Sequence, residues 1–367
     1  MAESRHSKVE TVKKKVASLE EGATSSLMAA DLAGCAPSSI PGPPHADNRD
    51  ALDWSAHGLV AYGCHDVVVV FEPNACEIVQ TLDCAGARVT RVSWAPRETS
   101  AALARAVRRA DLIVGDTRGC VSLWDVSRGA AVAQCSPPAG AERERGVLGL
   151  AWHPAVPRGA LALHAGGSLV LWSLADGEPR RLWVFVDSAA PVRSLPSFAP
   201  SDPTTAIVVA AGGWVLRLSG AAGAAPPTVK PSDRFRVVDP AAPAATSGDG
   251  SARGAIVGCT FCEMLEHAPI VLLLTPRELL AVDLAARGAV GSCALDKRAA
   301  PFAQLLVPPA GAHAPSLVLC LHVDGALSAY SMAISRAPGA DADTDAPSAA
   351  APPAACLLYT SDAADEE

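Results

Sequence analysis

From residue 50 onward the hydrophobic positions come in short runs broken by turn residues. Leu59–Tyr62 is followed by Val67–Phe71, Ile78–Leu82, Val89–Trp94, Leu112–Val114 and Val121–Val126, with Gly, Pro, Asp or Ser between them. Runs of this length, rich in β-branched residues and without a sustained helical period, predict strands. Many short strands at regular spacing place the chain among the all-β sandwiches, barrels and propellers. The first 48 residues differ. Val9, Val12, Val16 and Leu19 recur at helical spacing on a charged background, and Pro41-Gly42-Pro43-Pro44 closes the segment. Such a narrow stripe predicts a short solvated helix or a disordered extension; Val is a weak anchor for the alternative, a membrane-surface helix.

An internal repeat decides among the β architectures. Three strands end in aromatic-x-Pro, at Trp94-Ala95-Pro96, Trp152-His153-Pro154 and Phe198-Ala199-Pro200, 58 and 46 residues apart. Between them lie two apolar strands carrying Trp124 and Trp172, 48 residues apart, the first reading Trp124-Asp125. A WD-repeat blade of four strands takes about 40–45 residues, so each interval is one blade with loops of variable length. The Ala- and Arg-rich Thr99–Arg109 stretch accounts for the longer first interval. Trp54 and Trp214 also fall on predicted strands, and Trp183 on an outer one.

The plan continues more faintly. Val192–Phe198, Ala206–Ala211 and Trp214–Leu218 predict a fourth blade, with Gly220–Ser232 inserted before an outer strand at Phe235–Val238. Ala255–Cys262, Pro269–Leu274, Leu279–Leu284 and Val290–Leu295 predict a fifth. Phe302–Val307, Ser316–Leu321 and Ala326–Ser331 predict three strands of a sixth. The expected fold is an all-β WD-repeat propeller, incomplete, with about five blades plus part of a sixth. It occupies residues 49–333, between an N-terminal extension (1–48) and a low-complexity tail (334–367). Asp239–Arg253, mostly Pro, Ala, Ser and Gly, reads as a loop between blades.

Composition narrows the function. The 367-residue chain is 19% charged with a net charge of −8, an acidic balance that argues against a dedicated nucleic-acid binder. Its longest apolar runs stop short of the roughly 18–20 residues a membrane helix needs, so no transmembrane segment is expected. Eleven Cys stand mostly as singles, an odd number without framework spacing, which suits reduced core thiols in an intracellular protein. The Cys259-x-x-Cys262 pair has no second pair at zinc-finger distance, and His267 alone cannot complete four ligands, so no metal is expected. His65, His153, His164 and His322 sit at strand ends or turns, where a hydrogen-bonded structural role is expected. G-x-S-x-G, phosphate-loop and H-E-x-x-H motifs are absent, so no cofactor and no catalytic residue is assigned. Asp341, Asp343 and Asp345 lie in the tail and read as solvated. Arg105, Arg108 and Arg109 read as a solvated loop or as a contact for an acidic partner segment.

Several stretches resemble one family more closely than WD repeats in general. Ser39-Ile-Pro-Gly-Pro-Pro44 leading into Gly58-Leu-Val-Ala-Tyr-Gly-Cys-His65 is similar to the amino-terminal opening of the WD repeat-containing protein 11 family. Trp124-Asp-Val followed by Ala131-Val-Ala-Gln-Cys135 is similar too. So is Leu272-Leu-Leu-Thr-Pro-Arg-Glu-Leu-Leu280, continuing through Asp283-Leu284 to Pro301-Phe302. The resemblance runs over residues 39–332. It implies a longer protein with two propellers and a helical region, peripheral at the trans-Golgi network. There it implies a subunit of a complex that captures endosome-derived vesicles, with other proteins of that complex as partners. No binding residue can be carried over. The alternatives are a WD-repeat adaptor in a ubiquitin ligase or on chromatin, and a propeller enzyme; the latter needs polar residues at inner-strand starts, which here are mostly Val, Leu, Ala and Ser.

The end departs from the family. Residues 356–367 resemble a translated library adaptor, so the chain reads as a truncated gene model. Unpaired blade edges then predict self-association or poorly cooperative melting.

Overall fold

A computed structural model describes residues 45–48, 50–96, 111–137, 146–174, 178–199, 202–237, 256–262, 270–295, 299–306, 317–335 and, as backbone, 354–360. The described residues form 24 strands in six four-stranded antiparallel sheets, each a simple meander. The first sheet holds β1 (Leu52–Trp54), β2 (Val60–Cys64), β3 (Val67–Glu72) and β4 (Glu77–Asp83). The second holds β5 (Val89–Trp94), β6 (Asp111–Asp116), β7 (Val121–Asp125) and β8 (Ala130–Cys135). The third holds β9 (Val147–Trp152), β10 (Gly159–His164), β11 (Leu169–Ser173) and β12 (Arg180–Phe185). The fourth holds β13 (Ser197–Ala199), β14 (Asp202–Ala210), β15 (Trp214–Ser219) and β16 (Arg234–Arg236). The fifth holds β17 (Gly258–Cys262), β18 (Ile270–Leu274), β19 (Glu278–Asp283) and β20 (Gly288–Ala294). The sixth holds β21 (Phe302–Leu306), β22 (Leu317–His322), β23 (Leu327–Ser335) and β24 (Ala354–Thr360). The chain divides into two compact units, Met1–Val186 with the first three sheets and Asp187–Glu367 with the last three.

Inner strands read as continuous apolar runs because both their faces are covered. Every residue of β6, β10 and β18 is buried. In the first unit Ala61, Val68 and Val70 of sheet one pack with Trp94, Leu112 and Trp124 of sheet two. Ile113 and Leu123 of sheet two pack with Val147, Leu150 and Trp172 of sheet three. The second unit repeats the scheme. Ile207 and Val215 meet Phe261 and Leu273, while Leu272 and Leu279 meet Phe302, Val318 and Tyr330. Alternate residues of one strand therefore serve two seams, one shared with the preceding sheet and one with the following sheet.

The turn from second to third strand recurs in form. Asp116–Gly119, His164–Gly167 and His322–Gly325 each close with the glycine N–H donating to the carbonyl of the first residue. The closing glycines have φ of 82°, 82° and 90°, a left-handed conformation that an L side chain resists.

At a different position the need is for space. A Cβ on Gly115 would lie 2.7 Å from Cγ1 of Val147, across the seam between sheets two and three. Gly63, at the matching register, faces Val89 in the same way, at 3.1 Å. Gly115→Ala is expected to cost about 1–3 kcal/mol through overpacking, read as a lower urea midpoint. An unchanged midpoint would show that the seam has slack.

Two details differ from the sequence reading. The strand expected over Val192–Phe198 is only Ser197–Ala199, because Pro196 lacks the N–H a ladder needs; Val192 keeps a single bridge to Ala210. The expected three strands of the sixth sheet are joined by a fourth. Within the 334–367 segment read as a low-complexity tail, β24 pairs along β23 from Ala329↔Thr360 to Ser335↔Ala354. Its Cys-Leu-Leu-Tyr-Thr run favours a strand, and β23 offers an edge to pair with. Most of the 1–48 extension, Thr99–Arg109, Asp239–Arg253 and the rest of the tail lie outside the described residues.

Candidate interaction surface

The aromatic-x-Pro residues turn out to fasten one sheet to the next. Trp94, at the end of β5, donates its indole N–H to the Asp53 carbonyl of β1 at 3.2 Å, and its backbone N–H to Asp53 Oδ2 at 2.7 Å. One sheet later, Trp152 donates its indole N–H to the Ser93 carbonyl at 3.1 Å. Asp53 and Ser93 each precede the corresponding Trp of their own strand, so the bond falls at one register in successive seams. Pro96 and Pro154 follow as exposed residues, where a ring nitrogen without a hydrogen ends the strand. The ring of Phe198, on β13, carries no N–H to stand in for the indole, and Pro200 lies outside the described residues.

Trp124 and Trp172 fill the same two seams from the third strands and are 8% exposed. The Trp124 indole donates to Ser122 Oγ at 2.9 Å. Asp125 is buried, and its Oδ1 accepts from Ser127 Oγ at 2.5 Å and from the Arg128 N–H at 3.3 Å, closing the turn into β8. Asp283 closes the equivalent turn of the fifth sheet through the N–H groups of Ala285 and Ala286. Trp183 is buried on β12, and Trp214 on β15 lies under Arg236, 4.4 Å from ring centre to guanidinium. Trp54 holds the register position of Trp94 in the first sheet yet is 65% exposed.

Sequence reasoning missed the polar residues that lock these seams. Asn48 is buried and donates to the carbonyls of His65 and Val89, while its Oδ1 accepts from the His65 N–H at 2.8 Å. One side chain thus ties the lead-in, the β2–β3 turn and the start of β5. Asp111 at the start of β6 pairs with Arg158 from the β9–β10 turn, both well buried. Asp187 and Arg234 make a second such pair. Burial pushes the Asp53 carboxyl above the usual carboxylate range, although the N–H groups of Trp94 and Trp54 pull it down. A lone Asn or Asp beside a strand carries no periodic signal, which is why these roles were not legible.

The histidines serve the turns. His153 Nδ1 accepts from the N–H groups of Ala155 and Val156, both at 3.0 Å. His322 bonds the Ala300 carbonyl and Ser328 Oγ, both at 2.7 Å, with its ring against Phe302. His65 sits in the β2–β3 turn at φ 55°, and His164 is buried at the end of β10. Among the described residues no group of three or more His, Cys, Asp or Glu could hold a metal ion. Cys259 lies on β17 beside Ser194 Oγ, at 3.8 Å; His267, Arg105, Arg108, Arg109 and the tail carboxylates lie outside the described residues.

Burial, the largest cause in each case, pushes the thiols of Cys84, Cys135 and Cys320 up to about 12 and that of Cys259 up to about 11. At pH 8 these four stay protonated and unreactive, since the thiolate is the nucleophile. Brief iodoacetamide treatment at pH 8 should therefore label the exposed Cys76 well before any of them. Equal labelling by peptide mapping would contradict these burials.

Comparison with known proteins points to one family. Residues 42–219 match the family model described as WDR11 first beta-propeller. WD repeat-containing protein 11 of Mus musculus and of Homo sapiens are each 28% identical to the chain over 316 residues, which is 79% of this chain and 24% of theirs. These matches support a propeller of the WD repeat-containing protein 11 family. The residues matched by the family model fall within the 39–332 stretch over which the resemblance runs. Elongator complex protein 2 of Arabidopsis thaliana is 36% identical over a shorter stretch of 76 residues. A chain of the crystal structure of the mitotic checkpoint complex aligns with a TM-score of 0.55 at 14% identity, covering 84% of this chain and 85% of that one. That likeness concerns the fold alone: an all-β WD-repeat propeller, incomplete in this chain. No helix among the described residues is long and apolar enough to cross a membrane.

Proposed function

We propose that this chain is a non-enzymatic interaction scaffold, and that the protein carrying it is a cytoplasmic subunit of a trans-Golgi complex that captures endosome-derived vesicles. The observation that carries the reading is the match to WD repeat-containing protein 11 over 79% of the chain. The described polar side chains support it. Asn48, Asp53, Asp111, Asp125, Arg158 and His322 are each engaged in a seam or a turn. Sheets held rigid in this way present their loops as contact surfaces, and partner choice belongs to those loops. Membrane association is then peripheral, through protein partners.

Affinity capture of the intact, tagged protein from its own cells, with imaging against a trans-Golgi marker, tests the proposal. Recovery of vesicle-tethering proteins and overlap with the marker are expected. Recovery of ubiquitin-ligase or chromatin subunits alone, with a nuclear signal, would overturn it.

A further inference from the structure

Sheet four carries an insertion that a strand-to-strand turn does not need. Sheets one, two and five pass from third to fourth strand in the four residues 73–76, 126–129 and 284–287, whereas sheet four takes 220–233 between β15 and β16. The insertion is tied down at two points. Ser219 and Thr228 exchange backbone N–H to carbonyl bonds, both at 3.0 Å, and the Ala221 N–H reaches the Thr204 carbonyl of β14 at 2.8 Å. All of these residues belong to the Asp187–Glu367 unit.

The returning limb of the insertion reads Pro226-Pro227-Thr228-Val229-Lys230-Pro231. Each proline ring fixes its own φ at about −65° and holds the residue before it in the extended or polyproline II region. Lys230, before Pro231, has φ −74° and ψ 151°, close to the polyproline II angles. Pro231 then opens a one-turn 3₁₀ helix that runs to Asp233 and ends the extended stretch. Polyproline II has about three residues per turn, so Pro226 and Val229 fall along one edge and Thr228 and Pro231 along a second. Pro227 is buried, which sets the third edge against the protein. Pro226, Thr228, Lys230 and Pro231 are exposed.

We propose that residues 226–231 are a docking segment for a partner domain that grips polyproline II in an aromatic-lined groove and sets a carboxylate beside Lys230. Such grooves take rigid apolar rings, and a chain already held in its bound conformation loses little entropy on docking. The prolines and the Ser219–Thr228 bonds supply that order before any partner arrives. The Lys230 ammonium adds a charge-assisted contact that fixes the direction in which the segment lies in the groove. The segment is local to sheet four, so the proposal does not depend on which complex the protein joins.

Biolayer interferometry tests this, with the full 367-residue chain immobilised and a panel of purified SH3, WW and EVH1 domains as probes. At least one domain should bind the wild type. A double variant at the two exposed rings, Pro226→Ala with Pro231→Ala, should bind that domain about tenfold more weakly. Lys230→Glu should weaken binding too, by a margin that shrinks as salt is added. All three positions are exposed, so both variants should keep the fold, checked by circular dichroism melts that match the wild type. A panel that leaves the wild type unbound, or either variant bound as tightly as the wild type, would overturn the proposal.

Discussion

Trp94→Ala should destabilise the Met1–Val186 unit by about 3–5 kcal/mol, the usual cost of truncating a buried Trp. Trp94 is 5% exposed and stands with Ala51, Val92, Leu112 and Trp124 at the seam between sheets one and two, so the ring's volume becomes a cavity. The Asp53 carbonyl also loses the indole donor that reaches it at 3.2 Å. Trp94→Phe separates the two effects. It keeps most of the apolar area and removes the hydrogen bond, about 0.5–1.5 kcal/mol, together with a smaller cost for the lost part of the ring. Trp54→Ala, at the same register in an exposed setting, should change stability by less than about 0.5 kcal/mol. Urea denaturation of the three variants ranks them, and equal losses for Trp94→Ala and Trp54→Ala would refute the seam assignment.

Arg158→Met should cost a similar amount, about 3–5 kcal/mol, by a different route. The guanidinium is 13% exposed and faces the Asp111 carboxylate, which has no exposure at all. Removing the cation takes the Arg158 charge away from that buried carboxylate, and the penalty is chiefly its desolvation. An Asp111→Leu, Arg158→Met double variant removes both charges and should be more stable than Arg158→Met alone. That inequality, obtained from a double-mutant cycle, is the diagnostic result. Additive losses would mean that the two residues act independently.

Much of the fold was legible because it repeats. Trp94, Trp152 and Phe198 mark first strands, Trp124 and Trp172 mark third strands, and strands buried on both faces read as unbroken apolar runs. Legibility faded where the pattern depended on single residues. Pro196 shortened the first strand of the fourth sheet, and the pairing of β24 depended on the free edge of the preceding strand, β23, across an intervening low-complexity stretch. The seam bonds were partly visible. The Trp positions were read as packing marks, but their indole bonds to Asp53 and Ser93 needed the register between neighbouring sheets. Gly63 and Gly115 occupy matching positions, yet only the 3.1 Å and 2.7 Å approaches of Val89 and Val147 reveal why a side chain is excluded there. Asn48, Asp111 and Arg158 sit outside any period, so nothing in the linear pattern distinguished them from surface polar residues.

Hydrogen exchange at the indole N–H groups, followed by NMR with each Trp assigned by substitution, tests the blade-to-blade bonding most directly. The Trp94 and Trp152 indole protons should exchange slowly, as donors held in seams, while the proton of the exposed Trp54 exchanges fast. Equally fast exchange at all three would contradict the seam bonds and, with them, the rigid scaffold on which the proposed function rests.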